Sequence, residues 1–313
     1  MASSTWLTLA QRLAAELGLP QASSIALAQD TQTVQIGALL NRCGEMLMRS
    51  KDQGWSLLTG EWTLSLVPPV NMTGNMAINS RQVTGLSSTA GFVPFSWICT
   101  AQYFVQAPRI VSIDSPTSLT LDTSATSTQT GIVFSFRPDT FDIPPDLLAF
   151  VDGTAWDRTR RWQMLGPMTK SEDQFLRSSI IAPVPRRRFM SIGRGTNSYR
   201  IWPAPSGSDT PATLIFDYIT RYWANDATGA IKPNMTLDTD TAVWTDDLMV
   251  MGAKWLFLQA KGFAFEDIRA QWQAMLSEAM AADGGAPELS LTRRKVWDPL
   301  DPAAVTLQVI NPQ

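Results

Sequence analysis

Hydrophobic positions along this chain change period several times. Near the start, Trp6, Leu9, Leu13 and Leu17 recur at intervals of three and four, with Ser4 or Thr5 as candidate cap, Gly18 past the end and Pro20 beyond. That spacing predicts a short amphipathic helix with one apolar stripe. A second helix is expected from about Thr33 to Ser50, where Ile36, Leu39, Leu40, Cys43, Met46 and Leu47 form a stripe and Asp30, Thr31 or Thr33 is available as cap. From Trp55 the period shortens to two. Trp62, Leu64 and Leu66 alternate with Glu61, Thr63 and Ser65, the pattern of a half-buried strand. Residues 71–136 are rich in Ser and Thr, but the pieces "RIVSID", "SLTLD" and "GIVFSF" bring alternating apolar side chains, more buried surface than a disordered segment carries. A small all-β module is expected there.

Strands and turns continue from Pro138 to Trp223, with one short helix near Ser171 to Ser179. In "ATLIFDYIT", Leu214, Phe216 and Tyr218 face one way and Ile215, Asp217 and Ile219 the other. Helical spacing returns in "WTDDLMVMGAKWLFLQAKGF", residues 244–263, where only Lys254 and Gln259 are polar between Leu248 and Ala260. Thr245 is the expected cap, with Asp246 and Asp247 at the positive end of the helix dipole. Phe265, Ile268, Trp272, Met275 and Ala279 form another stripe, ended by Asp283-Gly284-Gly285.

The fold class that follows is α+β. N- and C-terminal helices form a four-helix bundle joined to a β-rich, sandwich- or barrel-like domain that carries the inserted module. The expected divisions are 1–54 for the first bundle helices, 55–70 and 137–224 for the central β-rich domain, and 71–136 for the insertion. The helical hairpin occupies 225–283 and an extended arm 284–313. The helix over 248–260 is the most buried member. Two of its sides face the bundle, and the rest meets either the β layer or a neighbouring subunit. The arm holds Val296, Trp297, Leu300, Val305, Leu307, Val309 and Ile310, so it packs on its own domain or docks on a partner.

Composition narrows the chemistry. The 313 residues carry a formal net charge of −3, which gives no general attraction to nucleic acid or anionic membrane. Cys43 and Cys99 match neither a disulfide framework nor metal-ligand spacing. The start of the chain lacks the basic, apolar and small-residue order of a signal peptide, and the run at 248–260 is too short to span a bilayer. There is no histidine, so Ser-His and Cys-His catalysis and His-ligated zinc are excluded. "GRGTNS" at 193–198 lacks the Lys-Ser/Thr of a phosphate loop and the third glycine of a dinucleotide turn, and reads as a tight turn. Asp246 and Asp247, or Glu172 and Asp173, are adjacent acids pointing to different faces, which helix N-terminal charge explains better than glycosidase chemistry. No cofactor or metal is called for.

Two arginine clusters remain, Arg158, Arg160 and Arg161 in "RTRR", and Arg186, Arg187 and Arg188 in "RRR". They bind phosphates of DNA in a channel, or they form a solvated surface or pair with acids of an adjacent subunit such as those of "DTDTAVWTDD" at 238–247; the acidic balance of the chain favours the latter two. The twelve tryptophans fall mostly on apolar stripes and strands, as core or interface anchors do.

Several stretches, in order, resemble the head-to-tail adaptor family of tailed bacteriophages, of the tail tubular protein A type. They are "LTLAQRLAAELGLP", "VQIGALLNRCGEMLMRSKDQGWSLLTGEWTL", "FDIPPDLLAFVDGTAWDRTRRWQMLGPMTKSEDQFL", "YRIWPAPSGSDTPATLIFDYITRYW", and the 244–263 run extended through "FEDIRAQWQAML". The resemblance covers most of the chain outside 71–136 and the arm. It implies a structural, non-enzymatic ring of on the order of twelve copies, seated in the virion between the portal protein and the tail nozzle or tube. Genomic double-stranded DNA would pass through the lumen with only transient, non-specific contact, no membrane would be involved, and the arm would reach onto the portal. Asp246, Asp247, Lys254, Trp255, Trp272, Arg293, Arg294 and Trp297 are then the candidate residues for subunit or portal contact. The Ser/Thr-rich module resembles small β modules inserted in phage structural proteins and is expected on the outside of the ring, binding a tail fibre or neighbouring tail protein or only decorating the surface. Rival readings are a receptor- or carbohydrate-binding tail module and a cell-wall-cleaving enzyme.

Overall fold

The computed structural model describes residues 4–51, 54–99, 102–177, 186–193, 197–207 and 211–284. These residues form a mixed α+β protein with five α-helices and four antiparallel sheets. Helices α1 (Trp6–Glu16) and α2 (Thr31–Arg49) open the chain. Helix α3 (Lys170–Arg177) lies in the middle, and α4 (Asp246–Lys261) and α5 (Glu266–Asp283) close the described part. Capping follows the side-chain chemistry. Thr5 accepts from the Thr8 N–H and Asp30 from the Thr33 N–H, each satisfying a donor that the first helical turn leaves open. Thr245 holds the cap position of α4 with its side chain unbonded to the helix, and the acids behind it serve the dipole.

One core unites α1, α2, α4 and Trp272 of α5 with Trp55, Trp223, Met235 and Trp244 from the connecting segments. Helix α4 sits at its centre. Leu248, Met249, Val250, Ala253, Leu256 and Phe257 are all buried, each large side chain contributing roughly 1.5–3 kcal/mol relative to exposure. The nearly continuous apolar surface of α4 is therefore covered within one chain, in a core shared with α1, α2, α5 and three tryptophans from outside the α-helices, and gives no argument for a second copy. On α5 only Trp272 is buried, while Phe265, Ile268, Met275 and Ala279 are half-buried against the cluster.

Two sheets pack face to face to make the central β-rich region. The first is built on β14 (Ala212–Thr220), which pairs along one edge with β1 (Thr59–Leu66). Its other edge meets β9 (Leu147–Phe150) at one end and β10 (Trp156–Asp157), followed by β11 (Trp162–Gln163), at the other. The second sheet has the order β12 (Arg188–Gly193), β13 (Asn197–Trp202), β8 (Thr140–Asp142). Leu64, Leu66, Leu214 and Phe216 from one sheet meet Phe189, Tyr199 and Ile201 from the other. Tyr199 and Phe216 lie 4.7 Å apart at 78°, the edge-to-face geometry aromatic pairs favour. A small sheet, β16 (Ile231–Lys232), β15 (Ala224–Asn225), β17 (Thr241–Ala242), adjoins the helices.

Residues 70–138 form the six-stranded sheet, in the order β4 (Trp97–Cys99), β7 (Gln129–Pro138), β2 (Val70–Met76), β3 (Gln82–Thr84), β6 (Ser118–Leu121), β5 (Ile110–Ser115). Its two end strands meet through an antiparallel bridge between Ile98 and Arg109 and a 2.8 Å bond from the Cys99 N–H to the Pro108 carbonyl. The sheet thereby closes on itself, which removes exposed strand edges. It has its own core around Ile110, Leu119, Phe134 and Phe136.

Candidate functional site

Helices α1 and α4 are fastened along their length by three polar contacts. Ser4 donates its N–H (3.2 Å) and hydroxyl (2.5 Å) to Asp246, the Arg12 guanidinium meets Asp247 at 2.5 Å, and Lys254 lies 3.0 Å from Glu16. Its hydrogen bond to Asp247 raises the Arg12 pKa above the ordinary value. Asp246, Asp247 and Lys254, expected at a subunit or portal contact, are thus engaged within the chain. Trp255 and Trp272 are corrected further. They are 6% and 5% exposed, with rings 5.8 Å apart, and belong to the core. Arg293, Arg294 and Trp297 lie outside the described residues.

The two arginine clusters converge, but on an acid of their own chain. Asp157, 2% exposed, accepts from the Arg160 N–H at 2.9 Å and from Arg187 Nε at 3.0 Å. Arg187 also donates to the Pro203 carbonyl at 3.1 Å. Burial lowers the Arg187 pKa and Asp157 works against that shift, as expected for a desolvated but paired cation. Arg187 is 2% exposed, which corrects its assignment to a channel wall or an inter-subunit pair: a guanidinium sealed in this way meets neither DNA nor a neighbour. Arg158 and Arg161 are exposed, Arg160 and Arg186 half-buried, and Arg188 stands 3.9 Å from Glu172. The acids proposed as partners on another copy are also engaged. Asp238 accepts from the Ile25 and Ala26 N–H groups, Asp240 from Lys232, Asp246 from Ser4 and Asp247 from Arg12. Sequence reasoning missed Asp157, although it directly precedes the first arginine cluster.

A second buried network joins the closed sheet to the β-rich region. Arg109 and Asp139, each 5% exposed, form a bidentate pair. Arg200 Nε lies 3.8 Å from Asp139, and Arg200 Nη1 is 2.8 Å from Asp173 at α3. The same Arg109 donates to the carbonyl of Phe95, a residue with φ of 64° and 60% exposure. A bulky side chain in the left-handed region is strained. Here the strain is held by the Phe95 N–H bond to Ile110 (2.7 Å) and by the guanidinium. Val93, 56% exposed, stands on the same loop. On the helical body Leu27 (83%) and Leu237 (55%) are the most exposed large apolar residues of two loops tied together through Asp238.

Reactive chemistry is sparse among the described residues. Burial pushes the Cys43 thiol up to about 12, so it stays protonated and inert. Burial likewise raises Tyr199. No group of three or more Cys, Asp or Glu side chains among the described residues is placed to hold a metal ion, and no described helix is long and apolar enough to cross a membrane. Comparison of the chain with protein-family models and with curated proteins finds no match.

Proposed function

We propose that the protein is a structural head-to-tail adaptor of a tailed bacteriophage, a ring subunit between portal and tail nozzle or tube through whose lumen DNA passes. The observation that carries this reading is the partition of the chain. The first two and last two helices, about as far apart in sequence as the chain allows, share one core, while the intervening residues make β bodies with cores of their own. We read those helices as the four-helix bundle the resemblance implies, the bundle facing the portal and the β loops the next tail component. A net charge of −3 suits a wall that guides duplex without gripping it, since each phosphate neutralised would add salt-dependent affinity opposing ejection. The ring is of on the order of twelve copies, assembled in the host cytoplasm and carried in the virion. Purified protein mixed with the portal of the same phage and imaged by negative stain should give end-on rings seated on the portal. Particles that never carry the added density would defeat the proposal.

A further inference from the structure

The last strand of an open sheet carries a row of unpaired main-chain groups, and this fold covers most of its long edges. The six-stranded sheet closes on itself. Phe189 of the edge strand β12 is bonded on its outer side to the Leu165 carbonyl at 3.0 Å and the Met168 N–H at 2.7 Å. Strand β1 is the exception. It pairs with β14 in unbroken register from Thr59 to Leu66, and no described strand lies against its other edge. The Arg158 N–H bonds to the Thr213 carbonyl and the Val151 N–H to the Asp217 carbonyl, both at 2.9 Å, so Thr213 and Asp217 turn their main-chain groups away from β1. Alternate residues of an antiparallel strand bond to opposite sides, so Leu214 and Phe216 are the ones that bond to their register partners Leu64 and Trp62. The N–H and C=O groups of Glu61, Thr63 and Ser65 therefore point out of the sheet edge. All three residues are exposed, and these groups have no partner among the described residues.

Side chains on the two faces specify what pairs there. On the outer face Glu61 stands directly opposite Asp217, and neither carboxylate has a cation in ion-pair range among the described residues. Like charges opposite one another across a ladder repel, so a cation belongs beside them. On the inner face Trp62 and Leu64 are only half-buried at the rim of the core, the Trp62 ring 5.2 Å from that of Phe216, so apolar side chains belong there. Successive residues of a strand point to opposite faces. A strand in which cationic and apolar residues alternate meets both demands while its main chain takes up the open N–H and C=O groups. Strand β1 also lacks the devices that keep an edge from pairing, having no lysine, no proline and no bulge over Thr59–Leu66.

We propose that β1 is a docking edge for an extended segment of a partner protein in which cationic and apolar residues alternate. The segment adds antiparallel to β1, its cations beside Glu61 and Asp217 and its apolar side chains on Trp62 and Leu64. The inference does not depend on the adaptor reading. The full chain, isotope-labelled for NMR, tests it with the synthetic peptide acetyl-TKVKVKT-amide in excess. Amide exchange at Glu61, Thr63 and Ser65 should slow when the peptide is added. In the pairing proposed, the peptide's lysines lie opposite Glu61 and Thr63 and turn their N–H groups to β1, whereas its valines turn theirs to solvent. N-methylation of the lysine amides should therefore abolish the protection, and N-methylation of the valine amides should leave it. Glu61→Lys, an exposed change that leaves the ladder to β14 intact, should weaken binding roughly fivefold and make a peptide with glutamates in place of the lysines the better ligand. Three results would overturn the proposal: no protection at these amides, equal protection by both methylated peptides, or protection without peptide that rises with protein concentration, which would assign the edge to a second copy. None of them bears on ring formation at a portal, so the two readings fail separately.

Discussion

Trp272 donates its indole N–H to the main-chain carbonyl of Leu248 across 3.0 Å, joining the middle of α5 to the first turn of α4. The contact exists because Gly252 has no side chain. A Cβ on Gly252 would stand 2.7 Å from Trp272 Nε1 and 2.2 Å from Cys43 Sγ. Helices α2, α4 and α5 therefore meet at a position where only glycine leaves room, and Cys43 is a packing residue there.

Because Trp272 is the one buried residue of α5, its loss should act on the whole helix. Trp272→Ala is expected to cost about 3–5 kcal/mol, and Trp272→Phe, which keeps most of the ring but not the hydrogen bond, about 0.5–1.5 kcal/mol for the bond alone. Urea unfolding with unchanged slope would measure both. A Trp272→Ala variant within 1 kcal/mol of the parent would mean that α5 is held by something other than this contact.

Gly252→Ala separates two effects of opposite sign. Helix propensity favours alanine by roughly 0.8–1.0 kcal/mol, whereas forcing a methyl between Cys43 and Trp272 should cost about 1–3 kcal/mol. Packing should win and the variant should unfold at lower urea concentration. Combining it with Cys43→Ala, which removes the nearer obstacle, should recover part of the loss, a coupling that a double-mutant cycle resolves. Net stabilisation by Gly252→Ala would show that the three helices do not meet as described.

The pair of Asp157 and Arg187 should behave as a buried ion pair. Arg187→Met strands a carboxylate that is 2% exposed and is expected to cost about 3–5 kcal/mol, with a similar loss for Asp157→Leu. The double variant should lose less than the sum of the two, because neither charge is then left alone. Additive losses in thermal or urea unfolding would contradict the pairing.

Periodic features were legible in the sequence, and pairwise polar ones were not. Trp6, Leu9 and Leu13, read as one stripe, are buried together. In β14 the alternation places Leu214, Phe216 and Tyr218 inside. Such patterns recur at the helix or strand period, so they survive without knowledge of the tertiary fold. A carboxylate has no period. Nothing in the residues around Asp157 says that its partner stands 30 positions on, nor that Asp238 turns to the backbone of Ile25 and Ala26. Helix α4 shows a different limit. Its all-round apolar surface is plain from the sequence, but the identity of its cover is not, since Trp223 and Trp244 lie outside any helix and carry no helical signal. Its burial within one chain shifts the case for a ring onto the resemblance and the exposed loops.

The acids that tie loops to helices predict how stability depends on pH. Asp240 is fully buried and accepts from Lys232 Nζ at 2.5 Å and from the N–H groups of Thr236 and Leu237 at 2.7 and 2.9 Å. Burial opposes its charge, but these bonds outweigh burial and hold the carboxyl below the ordinary range. Asp283 is similar. Burial is outweighed there by Lys51 and Ser56. A group whose pKa is lower in the folded than in the unfolded chain adds stability above the unfolded value of about 3.9, and that stability is lost as pH falls through the folded value. The stability difference between the parent and Asp240→Asn should therefore be flat from about pH 7 to pH 5 and shrink below about pH 4 as the parent's carboxyl is protonated. The main-chain carbonyl of Asp240 accepts the Trp6 N–H at 2.7 Å, so the loss should appear first as faster hydrogen exchange in the opening turn of α1. A difference that stays constant down to pH 2 would mean that the charge on Asp240 contributes nothing, and that the asparagine acts only through its changed hydrogen bonds.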